Sequence, residues 1–220
     1  MTPNPIRIIL AEDHTMMCDG LRSLIRKEEN MRIVGEAKTG EEAVEYALKL
    51  VPHVIILDIG LPGINGVDVA KMVLKENSNI KIIGFSMHAD RSLVGEMLKA
   101  GASGYVPKDS AYEELIEAIH RAMEGKIYLS PSITQGLVSG FLGNQPVDPQ
   151  DSAFSNLSER QRQVLQKLAE GATTKEIAAD LGVSVRTAET HRRNIMERLD
   201  IHSVAKLTKY AIRTGLTSVE

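Results

Sequence analysis

Apolar and polar positions follow two different rhythms along this chain. In roughly the first 125 residues, short near-continuous apolar runs alternate with longer segments in which apolar residues recur every three or four positions. Runs such as Ile6-Arg7-Ile8-Ile9-Leu10-Ala11, Val54-Ile55-Ile56-Leu57 and Ile82-Ile83-Gly84-Phe85 read as strands covered on both faces. The pattern predicts strands at 6–11, 32–37, 53–58, 81–86 and 104–107. It predicts helices at 16–28, 40–51, 67–77, 91–100 and 111–124. Gly40-Glu41-Glu42 places acids in the first turn of the second helix, where the helix dipole favours them. Strict alternation of strand and helix gives a (βα)5 unit, an α/β domain built on a doubly wound parallel sheet.

The rhythm changes after Gly125. An apolar patch from Pro131-Ser132 to Phe141 suggests a short helix, and Gly143 to Asp151 is rich in breakers and polar residues, the mark of a linker. Beyond it every signal is helical. Ser158-x-x-Gln161 and Thr173-x-x-Glu176 are capping boxes, each followed by an apolar stripe that ends on Gly171 or Gly182. Ser184 caps a third helix reaching about Leu199, and a fourth spans about 203–214. The expected organisation is an α/β domain over 1–126, a connecting segment over 127–152 and a small all-α four-helix domain over 153–220.

Charge sharpens this division. The net charge of −3 hides an asymmetry: residues 1–150 carry 15 Lys+Arg against 20 Asp+Glu, whereas residues 151–220 carry 11 against 9. The second domain is the part suited to an anionic partner. Cys18 is the single cysteine, which excludes an intrachain disulfide and a cysteine-based zinc site; it reads as a small buried side chain. No apolar stretch approaches the ~18 residues of a membrane span, and the N-terminus lacks the regions of a signal peptide. A cytoplasmic protein without membrane association is expected.

The chemistry gathers at strand ends. Ile6–Ala11 runs into Glu12-Asp13, Val54–Leu57 into Asp58, Ile82–Phe85 into Ser86, and Gly104-Tyr105-Val106-Pro107 into Lys108. Ligands of open α/β sheets bind outside the carboxyl ends of the strands, so the fold brings an acid pair, a central acid, a hydroxyl and a lysine to one rim. One polar strand end means little; four in order, each on its own βα unit, define a site. Asp13 and Asp58 offer the hard oxygens that Mg²⁺ prefers. Phosphoryl transfer depends mainly on positioning and charge neutralisation, tasks that suit Mg²⁺ and Lys108. Asp58 is then the nucleophile that forms an aspartyl-phosphate. His14 and His88 flank the rim as local modulators.

The segments Ala11-Glu12-Asp13-His14, Leu57-Asp58-Ile59-Gly60-Leu61-Pro62-Gly63-Ile64-Asn65-Gly66, Ser86 and Gly101 through Lys108 resemble the receiver domain of bacterial two-component response regulators. The resemblance covers about the first 125 residues and implies a flavodoxin-like fold. It implies phosphorylation of Asp58 by a sensor histidine kinase, with Mg²⁺ among Asp13, Asp58 and the Gly60 carbonyl and with Glu12 behind them. By the same carry-over, Ser86 and Tyr105 form a switch pair and Lys108 is the phosphate-side cation.

In the second domain, about three residues, Gly182-Val183-Ser184, join the second and third helices, as in a helix-turn-helix. Helical spacing puts Ala188, His191, Ile195 and Leu199 on one face. Arg186, Thr190, Arg193 and Glu197 fall on another, flanked by Glu189, Arg192 and Asn194. The first face suits packing; the second suits the major groove. Arg186 or Arg193 could pair with guanine and Glu189 with cytosine, while Arg192 and Asn194 suit phosphate. The segments Leu157–Leu165, Gly171–Ala178 and Val183–His191 resemble the LuxR-type DNA-binding domain over about 155–215, which adds Thr187 to the candidate contacts. Together the two halves resemble a NarL/FixJ-type regulator. Many members of that family carry lysine at the position of Glu189, so operator preference cannot be borrowed from them.

A phosphorylation-controlled transcription regulator is therefore expected, dimeric when phosphorylated, with double-stranded DNA, a sensor kinase and RNA polymerase as candidate partners. The alternative is a phosphorylation-independent regulator that uses its first domain only to dimerise. The full set Glu12, Asp13, Asp58, Ser86 and Lys108 argues against it. An aspartate-based phosphatase needs a second aspartate where this chain has Gly60, and no P-loop is present. The apolar positions Val204, Leu207, Tyr210 and Ala211 offer a stripe that could pair two DNA-binding domains.

Overall fold

The computed structural model describes residues 4–87, 91–141 and 157–217. Five parallel strands, β1 (Ile6–Ala11), β2 (Met31–Ala37), β3 (Val54–Leu57), β4 (Lys81–Ser86) and β5 (Gly104–Pro107), alternate with α1 (Thr15–Ile25), α2 (Gly40–Leu50), α3 (Gly66–Glu76), α4 (Arg91–Lys99) and α5 (Tyr112–Met123). A sixth strand, β6 (Tyr128–Leu129), extends the sheet along β5, giving the order β2-β1-β3-β4-β5-β6. It is followed by α6 (Pro131–Phe141), the short helix read from the apolar patch. The breaker-rich stretch 143–151 and the start of the second domain at 153 lie outside the described residues.

Two apolar layers sandwich the sheet. On one side Ile8, Leu10, Ile56, Ile83 and Val106 pack against Leu21, Ile25, Leu115 and Ile119 of α1 and α5. On the other, Ile9, Ile55, Leu57 and Ile82 meet Ala43, Val69, Val73, Val94 and Met97 of α2, α3 and α4. Strands buried on both faces have no room for alternation, which is why they read as unbroken apolar runs. Strand order reverses between β1 and β3, and ligands bind at such a switch point.

The second domain comprises α7 (Glu159–Ala169), α8 (Thr174–Asp180), α9 (Val185–Leu199) and α10 (Val204–Arg213). Both expected capping boxes are formed: Ser158 and Thr173 accept from the backbone of Gln161 and Glu176, whose side chains bond back. Ser184 caps α9 by accepting from the Thr187 N–H. Gly182 turns the chain between α8 and α9 at φ 62°, a left-handed conformation that costs glycine little. The apolar stripe of α10 is internal. Leu207, Tyr210 and Ala211 are buried within the domain and only Val204 is exposed, so the stripe cannot pair two domains as the sequence suggested. Apolar residues at helical spacing do not say which surface they bury against. The buried apolar residues of α7–α10 belong to the same cluster as those of the α3–α4 layer, so the two domains share one continuous core.

Candidate functional site

The strand ends converge as their sequence placed them. Asp58 follows β3 and its N–H donates to the Ala11 carbonyl at 2.8 Å, tying the β3 exit to the β1 exit. The Lys108 N–H donates to the Ser86 carbonyl at 2.9 Å, doing the same for β5 and β4. The side chains then meet. Lys108 Nζ lies 2.9 Å from Asp58 Oδ2 and 2.6 Å from Glu12 Oε2, with all three groups almost fully buried. The Gly60 N–H donates to Asp58 Oδ1 at 3.3 Å. Ser86 is buried at the end of β4, and Tyr105 is wholly buried beneath the rim with its ring against Gly84.

This is a low-dielectric charge cluster, and its electrostatics follow from that. Burial, and then the Asp58 charge, hold the Glu12 carboxyl above its ordinary value in spite of Lys108. Burial alone would disfavour the Lys108 ammonium, but Asp58 and Glu12 outweigh it and keep it charged. His14 stands at the mouth. Its Nδ1 is 2.9 Å from Glu12 Oε1 and 2.8 Å from Asp13 Oδ1. Only the first is an aligned hydrogen bond, so Asp13 Oδ1 is a buried oxygen without a hydrogen-bond partner. Ligand atoms of Glu12, Asp13, His14 and Asp58 all lie within 4.8 Å of one another. His88 lies outside the described residues. Cys18 is buried and donates to the Glu12 carbonyl at 3.3 Å, and burial pushes its thiol up.

The loop after Asp58 is pinned. A Cβ at Gly66 would collide with the Asp58 carbonyl, so only glycine lets α3 begin this close to the acid. Asn65 caps α3 by accepting from the Asp68 N–H at 3.1 Å, and its amide donates to Asp68 Oδ2 at 3.0 Å. The same amide reaches Gln166 Oε1 on α7 at 3.5 Å, while Gln166 Nε2 donates to the Leu61 carbonyl at 2.8 Å. Beside this pair, Arg162 Nη1 is 3.3 Å from Glu96 Oε2 of α4 in a buried ion pair. Arg162 also donates to the Leu157 carbonyl at 2.9 Å. Sequence reasoning missed Gln166, Arg162, Glu96 and Asn65. The signal was faint: two polar residues four apart on α7, among the apolar Val164, Leu165 and Leu168.

On α9, Ala188, Ile195 and Leu199 are buried and His191 partly so, while Arg186, Thr187, Glu189, Thr190, Arg193 and Glu197 are exposed. Arg192 and Asn194 are half-buried at the edges of that polar face. The α/β domain grips α7 and leaves this face of α9 open. Thr190 Oγ1 donates to the Arg186 carbonyl at 2.9 Å, and Ser184 and Thr187 share a hydroxyl bond at 2.8 Å. Among the described residues no helix is long and apolar enough to cross a membrane.

Comparison with known proteins agrees with this architecture. Residues 8–120 match the response regulator receiver domain, and residues 155–211 match the luxR family of bacterial regulatory proteins. The chain is 30% identical to the response regulator UvrY of Escherichia coli K12 over 215 residues, covering 98% of this chain and 97% of that protein. It is 32% identical to the response regulator GacA of Pseudomonas protegens over 211 residues, covering 96% and 97%. Among solved structures, RcsB from Salmonella enterica serovar Typhimurium, bound to promoter rprA in the presence of the phosphomimetic BeF3−, superposes with a TM-score of 0.70 at 25% identity. That match covers 94% of this chain and 98% of RcsB. A receiver fold with a complete acidic rim, joined to a helix-turn-helix domain and matched along nearly its whole length, places this chain in the two-component response regulators with a LuxR-type DNA-binding domain.

Proposed function

We propose that Asp58 accepts a phosphoryl group from a sensor histidine kinase, and that this loosens the contact between the two domains and favours dimeric binding to promoter DNA. The observation that carries the reading is the Gln166 bond to Leu61, because it fastens the DNA-binding domain to the loop that leaves the phosphoacceptor. Asp13, Asp58 and the Gly60 carbonyl, with Glu12 behind them, would hold Mg²⁺. Asp13 Oδ1, buried and without a hydrogen bond, and the oxygen-rich donor set suit a hard cation. Bound there, Mg²⁺ supplies positive charge that offsets repulsion between Asp58 and the incoming phosphoryl oxygens.

The chain's own residues do the rest. A carboxylate oxygen of Asp58 attacks the phosphorus, and the new O–P bond forms as the P–N bond to the kinase's phosphohistidine breaks and the imidazole leaves. Lys108, already beside Asp58 Oδ2, follows the new charge on the phosphoryl group and gives up part of its hold on the carboxylate. Ser86 donates to a phosphoryl oxygen, and Tyr105, already inward, keeps the space beneath Ser86 filled. The protein turns over no external substrate; it governs only its own phosphorylation and dephosphorylation. A rearranged loop 59–65 can no longer present the Leu61 carbonyl and Asn65 amide to Gln166. The polar face of α9 is exposed in the docked state, so control acts on the freedom of the domain and not on access to its reading face. Released domains pair two-fold and set their recognition helices about 34–36 Å apart, one turn of DNA. Promoter DNA is read through Arg186, Thr187, Glu189, Thr190 and Arg193, with Arg192 and Asn194 on the backbone. RNA polymerase is the partner that a promoter-bound regulator would meet.

The test uses the full chain with Mg²⁺ and a small phosphodonor, beside Asp58→Asn. Wild type should gain one acid-labile phosphate and bind more tightly to DNA selected from a random pool; the variant should do neither. Equal labelling of the variant would defeat the assignment of Asp58.

A further inference from the structure

The end of the sheet opposite the acidic rim carries a cleft of about 540 Å³, lined by Pro5, Arg7, Arg32, Ile33, Val34 and His53 among others, none of them acidic. Arg7 on β1 and Arg32 on β2 are register partners, so two guanidinium groups leave the same face of neighbouring strands. Like charges placed opposite one another destabilise a sheet. The acid of β2, Glu36, does not relieve them, because Arg22 holds both of its oxygens at 2.6 and 2.8 Å. Beside Arg7, the His53 ring accepts the Arg7 main-chain N–H on Nδ1 at 3.0 Å, which leaves Nε2–H as its donor.

The backbone around these groups is irregular on both sides. In β2, Ile33 pairs with Ile8 and Gly35 with Ile9, so Val34 is an extra residue, a bulge in the edge strand. Bulges at sheet edges bend the strand and re-aim its side chains. Val51, which ends α2, adopts φ 42° and ψ 67°, a left-handed conformation that is costly for a β-branched residue. Such strain persists where the surroundings hold it, and it gathers at ligand sites. Here the Arg7 guanidinium donates to the Leu50 carbonyl and the His53 ring is tied to the Arg7 main chain, so the turn 50–53 is clamped to β1. A bulge and a strained turn thus frame two arginines and an imidazole donor.

We propose that this cleft binds a small phosphorylated molecule bearing a flat ring, the chemistry of a nucleoside diphosphate. Arg7, Arg32 and the Nε2–H of His53 meet the phosphate oxygens, for which a guanidinium fork has the right geometry. Pro5, Ile33 and Val34 supply apolar surface for the ring. The volume falls among small-ligand sites, about 300–1,000 Å³, and exceeds what inorganic phosphate fills. A concave cleft with an apolar wall suits such a molecule better than a DNA backbone, whose footprint is a basic patch or stripe. The cleft lies at the start of β1 and the acidic rim at its end, so this site stands or falls independently of the reading of Asp58.

The test titrates the full chain with ADP, adenosine and inorganic phosphate, by calorimetry and amide spectra, in EDTA so that no cation bridges the ligand to the acidic rim. ADP should bind and shift the amides of Arg7, Arg32, Val34 and His53 but not those of Asp13 and Asp58. Adenosine and phosphate should each bind at least about tenfold more weakly. Arg32 is exposed on the edge strand, so its replacement leaves the core intact. Arg32→Gln should weaken ADP binding at least about tenfold. Arg32→Glu should abolish it and raise the melting temperature of the unliganded protein, because a like-charge pair becomes an opposite one. No binding of ADP, equal affinity in both variants, or amide shifts confined to other parts of the chain overturns the site. Phosphate that binds as tightly as ADP overturns the ring-bearing ligand. If ADP does not bind while Arg32→Gln weakens DNA of every sequence alike, the arginines serve the DNA backbone and the proposal falls.

Discussion

Gln166, in the middle of α7, donates its Nε2 hydrogen to the main-chain carbonyl of Leu61, three residues beyond Asp58, at 2.8 Å. Its Oε1 faces the Asn65 amide at 3.5 Å, so one fully buried side chain satisfies polar groups at both ends of the loop 61–65. Any change in that loop must be felt by the DNA-binding domain, because a buried carbonyl stripped of its donor loses about 1–3 kcal/mol.

Gln166→Leu keeps the volume and removes both bonds to the loop 61–65, together with the 2.9 Å bond from Nε2 to Glu170 at the end of its own helix. The docked state should weaken by about 1–3 kcal/mol, and the full chain without phosphodonor should expand in small-angle scattering and bind DNA more tightly. A variant that stays compact and binds no better would show that the bond does not restrain the domain.

Asp68, also on this interface, gives a pH signature. Burial first, and the Glu159 charge second, hold its carboxyl above the ordinary 3.8, with Asn65, Lys71 and Arg162 opposing. A raised acid contributes its stability below pH 3.8, where both states are protonated, and loses it as pH rises through the folded value. Asp68→Asn imitates the neutral acid. It should be more stable than wild type at pH 7, and the gain should shrink to nothing in denaturant melts below pH 3.8. A constant difference across that range would mean that the carboxyl charge is not what costs stability.

Arg193 is exposed on the open face of α9, where its Nε lies a loose 3.9 Å from Glu197 Oε1. Arg193→Ala should cost about 1–3 kcal/mol of binding and relax preference at one base pair, while Arg192→Ala should weaken all sequences alike. Titrations on selected and scrambled DNA separate the two. Uniform loss for Arg193→Ala would move it to the phosphate contacts.

Leu207 is fully buried between α10 and the rest of its domain. Leu207→Ala should destabilise the C-terminal domain by about 2–5 kcal/mol through the cavity it leaves. Val204→Ala, at the exposed start of the same helix, should stay within about 0.5 kcal/mol. Chemical denaturation followed by helix content measures both.

Most of the rim was legible in the chain because each strand is an apolar run that stops at the residue with the chemistry: Leu57 before Asp58, Phe85 before Ser86, Pro107 before Lys108. The caps at Ser158, Thr173 and Ser184 were legible because a cap is a local bond between residues three apart. Strand β6 was not, since Tyr128-Leu129 is too short to show a period. The contact of Gln166 with Leu61 was not, because one partner reads as a solvated helix position and the other as an apolar loop residue. Only tertiary packing, across 105 positions of sequence, brings them together. The α10 stripe was seen, but its partner is its own domain.

Residues gripped by the receiver, Arg162 and Gln166, are on α7, and the open polar face is on α9. The two sets share no side chain. On the proposed reading, a lineage can therefore drift at Arg186, Glu189 or Arg193 and acquire new target sites while the proposed coupling between phosphorylation and release stays as it was. It can equally retune that coupling through Glu96 or Asn65 while its regulon is kept. A single gene duplication followed by change on α9 alone would yield a second regulator that answers the same kinase from a different promoter.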